Sequence, residues 1–342
     1  MEMEPSGGRT PLSDTIVGTV MIVLSIGCGI AYTVILITIW KDGELLKMSS
    51  YKFMFALGIF DVIQCFPHFM TGIFTIRQTV FSPILAKAMG VLATPAYVAY
   101  AVLTVLLSFN RFIQIYSPHL DAILFSGYAI QCWMGFAMFI WLIFAACLSS
   151  PWASILYFPD LYSWDYDYTL EFSYYVQKCE MVIELSTILL SGVLYGFVVV
   201  ALYKTRKRFL ARSDSKTELK ILIQAFVITV YCTILNFLWH NSQAILPANI
   251  WSYMALNMMW IFNSGVYPLI YFIVNSAIRD RIASRKNHLP AVSVITMAVQ
   301  THHKGSAATE PTPKCKISRV HFNGDDLLGQ AFKSHPKVHF VS

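Results

Sequence analysis

Three ionisable residues stand inside stretches that are otherwise apolar: Asp61 in YKFMFALGIFDVIQC, Arg111 in LSFNRFIQIYSP and Glu184 in MVIELSTILL. A charge at that depth in a membrane costs about 3 kcal/mol or more unless it finds a partner, so each reads as functional by default. A buried carboxylate such as Asp61 can hold a cation or relay a proton. Glu184 can pair with a cationic or polar ligand head. Arg111, beside Asn110 at the end of an apolar run, can switch between partners. Each has a plainer alternative. An arginine near a helix end can snorkel to the headgroups. Asp61 can be satisfied by Asn263 or Ser264, and Glu184 by Lys178 or a neighbouring helix. His240 reads as an interior hydrogen-bonded histidine, with no metal partner spaced for it.

Other chemistries are excluded by pattern. There is no HExxH and no pair of intramembrane aspartates, so an intramembrane hydrolase is discounted and no enzyme activity is expected. The seven cysteines stand singly at 28, 65, 132, 147, 179, 232 and 315. None forms CxxC, and no cofactor or metal is expected. A single loop disulfide would have to use Cys179. No glycine-rich phosphate loop and no basic soluble segment suggests nucleic acid.

The elements that must position these residues are membrane helices. The 342-residue chain is 56% hydrophobic and only 13% charged, about half the charge of a soluble domain. Seven segments carry the roughly 20 apolar residues that a bilayer core requires: 15–40, 53–76, 88–112, 127–150, 181–203, 219–245 and 250–274. The sixth is the most polar, with Asn236, His240, Asn241 and Gln243. No cleavable signal peptide is expected at the acidic start, MEMEPSGGRT.

Lys and Arg fix the orientation. Fifteen lie on the side of the loops after helices 1, 3, 5 and 7, against four (Arg9, Arg77, Lys87, Lys178) on the other. The N-terminus, 1–14, is therefore expected outside and the C-terminus in the cytoplasm. The outer loop FPDLYSWDYDYTLEFSYYVQKCE is acidic and aromatic. After the 15–274 bundle, residues 275–287 read as an amphipathic cytoplasmic helix with Ile278 and Ile282 dipping into lipid. Residues 288–342 read as a disordered polar tail.

Several placements resemble rhodopsin-like receptors. Asn110-Arg111-Phe112 stands where those carry an acidic-Arg-aromatic triplet that closes the helix 3/helix 6 gap and then meets the G protein. The acid is replaced by Asn110, which implies a less tightly held resting state and some basal activity. Asp61 occupies the place of their helix 2 aspartate, which binds sodium and water. Asn263-Ser264 followed by Tyr267-Pro268-Leu269-Ile270-Tyr271 resembles their helix 7 Asn-Pro-x-x-Tyr motif, with Tyr267 in place of the Asn and Pro268 as a kink. Trp141 and Pro151 match their helix 4 pair. Trp239-His240-Asn241 lies where they carry Trp-x-Pro, without the proline. The helix 3 stretch VFSPILAKAMG has no cysteine to bond Cys179.

SSYKFMFALGIFD, the lone NRF after helix 3 and SPHLDAILFSGYAIQCWMG resemble the nematode serpentine chemoreceptors of class Srt, over about 15–279. The resemblance implies a rhodopsin-like all-α seven-helix bundle and a chemosensory G-protein-coupled receptor in the plasma membrane of sensory neurons, at the cilia. The partners implied are an unidentified small-molecule ligand, a heterotrimeric G protein and the lipid bilayer. By position, the pocket would use Thr94, Tyr97, Glu184, Trp239, His240 and Asn257. The G-protein face would use Arg111, Arg206, Lys207, Arg208, Lys220 and Arg279. A multi-pass transporter or channel without G-protein coupling is the competing class, although no internal repeat favours it.

Overall fold

The computed structural model describes residues 9–209, 230–242, 245–247, 249–275 and 278–283, with 202–209 and 274 by backbone only. All of these fall in one unit, Met1–Pro290. The chain runs α1 (Pro11–Lys41), α2 (Gly43–Lys47), α3 (Ser49–Arg77), α4 (Pro83–Tyr116), α5 (Pro118–Leu124) and α6 (Gly127–Ser149). A hairpin follows, β1 (Ile155–Phe158) and β2 (Ser163–Tyr166), joined by a 3-10 turn over Pro159–Leu161. Then come α7 (Glu171–Phe209), α8 (230–242), α9 (Ile250–Val274) and α10 (278–283). Each of the seven expected spans is helical over its described residues, except that the fourth ends at Ser149 with Ser150 as its cap. Five of the described helices are long and apolar enough to cross a membrane. The expected tail, 288–342, and the start, 1–8, lie outside the described residues.

The helices are longer than their apolar runs because backbone hydrogen bonding continues into the interface until a cap stops it. Thr10 and Ser13 form a reciprocal capping box with Pro11 at the first turn of α1. Ser82 caps α4 ahead of Pro83. Ser82-Pro83 is thus a helix start. Asn249 and Asn275 bracket α9 at the bounds that the apolar run suggests.

α4 is the central helix, packed on α3, α6 and α7, while α1 packs on α3 and α9. The most apolar window of α4 is 89% inside, against 17% for α6. The outer surfaces of α1 and α6 expose Val20, Val23, Ile30, Phe139 and Leu142, which in a bilayer face lipid. α1 and α3 cross at Gly18 and Gly72. A Cβ on either would meet the other's carbonyl oxygen at 2.6 Å, so only glycine allows this approach. Gly72→Val is expected to force the pair apart and destabilise the bundle by about 1–3 kcal/mol. The check is the melting temperature of the purified protein in detergent, which an unaffected crossing would leave unchanged.

Two sequence expectations are corrected here. Residues 171–180, read as outer loop, form the first turns of α7, so Cys179 and Glu180 lie on a helix. Ile278 is wholly buried in the bundle core with Ile282 packed beside it, so both face protein rather than lipid. The short start of α10 explains this: Asn275 accepts from the Ile278 amide at 3.2 Å and also bonds Tyr51, which folds the segment back under the bundle.

Candidate functional site: an outer pocket and an inner switch

The pocket is roofed by the hairpin. Alternating residues Ile155, Tyr157, Trp164 and Tyr166 are buried, and their polar tips find fixed partners. Trp164 Nε1 donates to Thr71 Oγ1 at 3.1 Å, Tyr157 Oη meets Thr75 Oγ1 at 2.6 Å, and Tyr166 donates to Glu180 Oε2 at 2.5 Å. At the turn, Tyr162 stands at φ 52°, donates to Asp14 and receives a bond on its carbonyl from Asn257 Nδ2 at 2.9 Å. On the hairpin's inner side, Ile155 presses on Gly90, where a Cβ would meet it at 2.6 Å. These contacts seat the roof without a disulfide. Cys179 is exposed, and like the other described cysteines it is not in a disulfide.

Beneath the roof, Thr94, Tyr97, Glu184 and Trp239 line one tight cavity with Glu180, Asn236 and Trp260. Its free space is about 10 Å³, the size of one water. It adjoins a vestibule of about 560 Å³ lined by Trp239, His240, Asp165, Tyr166, Lys178 and Tyr253. Ile155 and Trp239 border both spaces. Asn257 lines neither, because it is spent on the Tyr162 carbonyl. His240 Nε2 lies 3.0 Å from Glu184 Oε2, so Glu184 pairs with a helix neighbour and not with Lys178. Lys178 sits over the Tyr174 ring at 5.4 Å. In the vestibule wall, burial holds the Asp165 carboxyl above the usual carboxylate range.

An aromatic column runs from this cavity toward the inner end. Trp239 packs edge-on to Trp260 at 5.1 Å, and Trp260 to Tyr97 at 6.1 Å. Tyr97 stacks on Tyr100 at 5.6 Å; Tyr100 meets Tyr267 at 5.6 Å, and Tyr267 meets Tyr271 at 5.7 Å. Polar links run alongside. Tyr97 donates to Asn236 at 3.0 Å, Cys232 to Asn263 at 3.5 Å, and Thr104 lies 3.3 Å from the Tyr267 hydroxyl. α9 continues through Pro268. Asp61 lies beside the column, fully buried, with neither carboxylate oxygen hydrogen-bonded. The Tyr32 hydroxyl is near it, within electrostatic range but outside bonding geometry. Asn263 Nδ2, Ser264 Oγ and Tyr271 Oη are also buried and unpartnered. Neither Asn263 nor Ser264 satisfies Asp61.

At the inner end, Asn110 is fully buried and joins three elements. Its amide donates to Ser49 at 3.0 Å and to Asp121 at 3.1 Å, and its carbonyl accepts from Ser50 at 2.7 Å. An aspartate at 110 could not donate to Asp121 and would repel it, so the amide follows from the carboxylate supplied by α5. Burial raises the Asp121 carboxyl above its ordinary range, and the Asn110 bond opposes that shift. Arg111 is half-buried and, among the described residues, forms no ion pair. Its guanidinium lies in electrostatic range of the Tyr195 and Tyr271 hydroxyls. Arg279 bonds the Ile273 and Phe272 carbonyls at the end of α9. Arg281 pairs with Asp42 and holds that carboxyl below the usual range. The side chains of Arg206, Lys207 and Arg208, and the whole of Lys220, lie outside the described residues.

A model of the serpentine type 7TM GPCR chemoreceptor Srt family matches residues 7–289, which is the whole bundle. The chain belongs to the Srt family of serpentine receptors. It is thus a multi-pass membrane protein of a receptor family rather than an enzyme family. The structure is similar to that of squid rhodopsin, at a TM-score of 0.66 and 14% identity, covering 82% of this chain and 87% of that one. No curated protein matches by sequence. The rhodopsin-like seven-helix bundle is therefore the fold of this Srt receptor.

Sequence reasoning missed Tyr100, Trp260, Glu180, Asn236 and Asp121. Tyr97, Tyr100 and Thr104 share one face of α4 at helical spacing, a pattern that could have marked the column. Glu180 and Glu184 are likewise one turn apart. For Trp260 and Asp121 the linear sequence carries no such mark.

Proposed function

We propose that this Srt receptor is a chemosensory G-protein-coupled receptor whose ligand enters through the vestibule and binds under the hairpin. A ligand that favours the active bundle shifts the population toward it. The inner face then offers Arg111 and the basic stretch 204–220 to a heterotrimeric G protein. The observation that carries this reading is the continuous column from Trp239 and Trp260 through Tyr97, Tyr100 and Tyr267 to Tyr271. A rearrangement of the cavity wall has a packed path to the neighbourhood of Arg111. Asp61, Asn263, Ser264 and Tyr271 form a polar gap beside that column, and we assign it the role of a relay that re-pairs between states. The setting proposed is the plasma membrane of sensory neurons, at the cilia.

The test expresses the full chain in cells carrying both a G-protein reporter and a voltage clamp. A ligand screen is expected to raise the reporter signal with no current of the protein's own. A current without a reporter response would establish the channel or transporter reading instead. For any ligand found, Glu184→Gln and Tyr97→Ala are expected to reduce potency by about tenfold or more each, the loss of one buried polar or aromatic contact. Unchanged potency in both would remove the pocket from beneath the hairpin.

A further inference from the structure

We propose that the pocket takes a primary amine in its protonated form, with the ammonium group held between Glu180 and Glu184. This rests on the chemosensory reading and names the ligand class of the same site. Glu180 and Glu184 stand four residues apart on α7, so their carboxyl groups share one face, one turn apart. Both are buried and both line the cavity. Each is held by a neighbour outside the pair: Tyr166 Oη bonds Glu180 Oε2 at 2.5 Å, and His240 Nε2 bonds Glu184 Oε2 at 3.0 Å. Glu184 Oε1 is left with no hydrogen-bond partner. Among the described residues, no lysine or arginine forms an ion pair with either carboxylate.

A second observation, on a different helix, points into the same space. Thr94 is 1% exposed, lines the cavity, and its hydroxyl has no partner. Buried polar groups are almost always bonded, so an unpartnered hydroxyl and an unpartnered carboxylate oxygen on one cavity mark a place for a ligand donor. The remaining wall is Tyr97, Trp239 and Trp260, whose ring faces attract a cation, together with Ile155, Leu235 and Asn236. A ligand with several N–H donors and a positive charge satisfies all of these groups at once. A neutral head can donate to the carboxylate oxygens but leaves their charge unbalanced, and an anionic head is repelled by them. Among the described residues no group of three or more His, Cys, Asp or Glu side chains is arranged for a metal ion. The cavity's water-sized space of about 10 Å³ fits an ammonium head and not a quaternary one. The body of the ligand then lies in the vestibule, against Tyr166 and Tyr253.

The test uses the purified full-length chain in nanodiscs, read by calorimetry and thermal shift. The probes are phenethylamine and n-hexylamine, set against N-acetylphenethylamine, 3-phenylpropionate and tetramethylammonium. The two primary amines are expected to bind and to raise the melting temperature, and the three controls are not. Glu184→Gln and Glu180→Gln are each expected to weaken amine binding by about thirtyfold or more, the loss of one partner of a buried charge pair. Absence of amine binding to the native chain, equal binding of the acetamide or the acid, or full-affinity binding in a folded Gln variant would each overturn the assignment. If Glu184→Gln does not fold, the probe series on the native chain and Glu180→Gln decide it. Amine binding without any G-protein response would leave this inference standing and sink the signalling reading. A reporter response to a neutral or acidic compound, with no amine bound, would do the reverse.

Discussion

Arg111→Ala is expected to abolish G-protein coupling while surface expression persists. Arg111 stands at the inner end of the central helix, and no described carboxylate neutralises it. A half-buried guanidinium without an ion pair is costly to keep, and little in the resting bundle would be lost with it. Packing there is carried by its neighbours: Asn110 holds α3, α4 and α5 together, and Phe112 stacks on Tyr116 at 5.6 Å. The substitution therefore spares the fold and removes the charge that we propose the G protein meets. A partnered buried charge is worth about 2–5 kcal/mol in such interfaces, so the maximal reporter response should fall by about thirtyfold or more. Arg111→Lys should restore part of it, because the charge returns without the planar fork. Coupling that survives Arg111→Ala at equal surface expression would refute the switch role and move the G-protein contact to the basic stretch 204–220.

The second large effect is expected at the roof. Trp164 is the anchor of the hairpin, buried to 3% exposure, packed against Tyr157 at 5.4 Å and bonded to Thr71 on α3. Trp164→Ala deletes the indole and its bond to Thr71, whose hydroxyl keeps only its donation to the Pro67 carbonyl. Large-to-small changes at such sites cost about 3–5 kcal/mol. The hairpin is a small unit lodged in the bundle mouth, so the cost falls on its local opening. Backbone amides of Ile155–Phe158 and Ser163–Tyr166 are expected to exchange about a hundredfold faster or more, while those of α4 keep their protection. Unchanged exchange in the hairpin would show that the indole does not hold the roof. Because the described cysteines are free, the same exchange pattern is expected with and without a reducing agent.

Much of the fold was legible because a bilayer imposes one rule on every span. A run of about 20 apolar residues must be a helix, since no water is present to satisfy an open backbone. That rule placed the seven segments, and the caps at Thr10, Ser82, Asn249 and Asn275 set four ends of three of those helices. It says nothing about polar stretches, so FSYYVQKCE read as loop although it extends α7 beyond the apolar run. The hairpin was illegible for a related reason. ILYF and SWDY are each four residues long, too short for their alternation to stand out, and they pair only because the bundle mouth buries one face of them.

The candidate site divides in the same way. The types and depths of Asp61, Arg111 and Glu184 are properties of the chain, and the price of burying a charge flagged each of them without a structure. Helical counting also brought Thr94, Tyr97 and Glu184 to the outer half. Counting gives a side chain's height and direction on its own helix and not the neighbour that claims it. Asn257 therefore passes from the pocket to the Tyr162 carbonyl, and Asn110 finds Asp121 rather than Arg111. By itself the sequence determined how many helices cross the membrane and which polar residues they carry inside. Only the tertiary structure decided which of those residues are satisfied and which are left open. Partnership depends on packing among helices far apart in the chain, as with Thr94, Glu184 and His240, and hydrophobic periodicity holds no record of it.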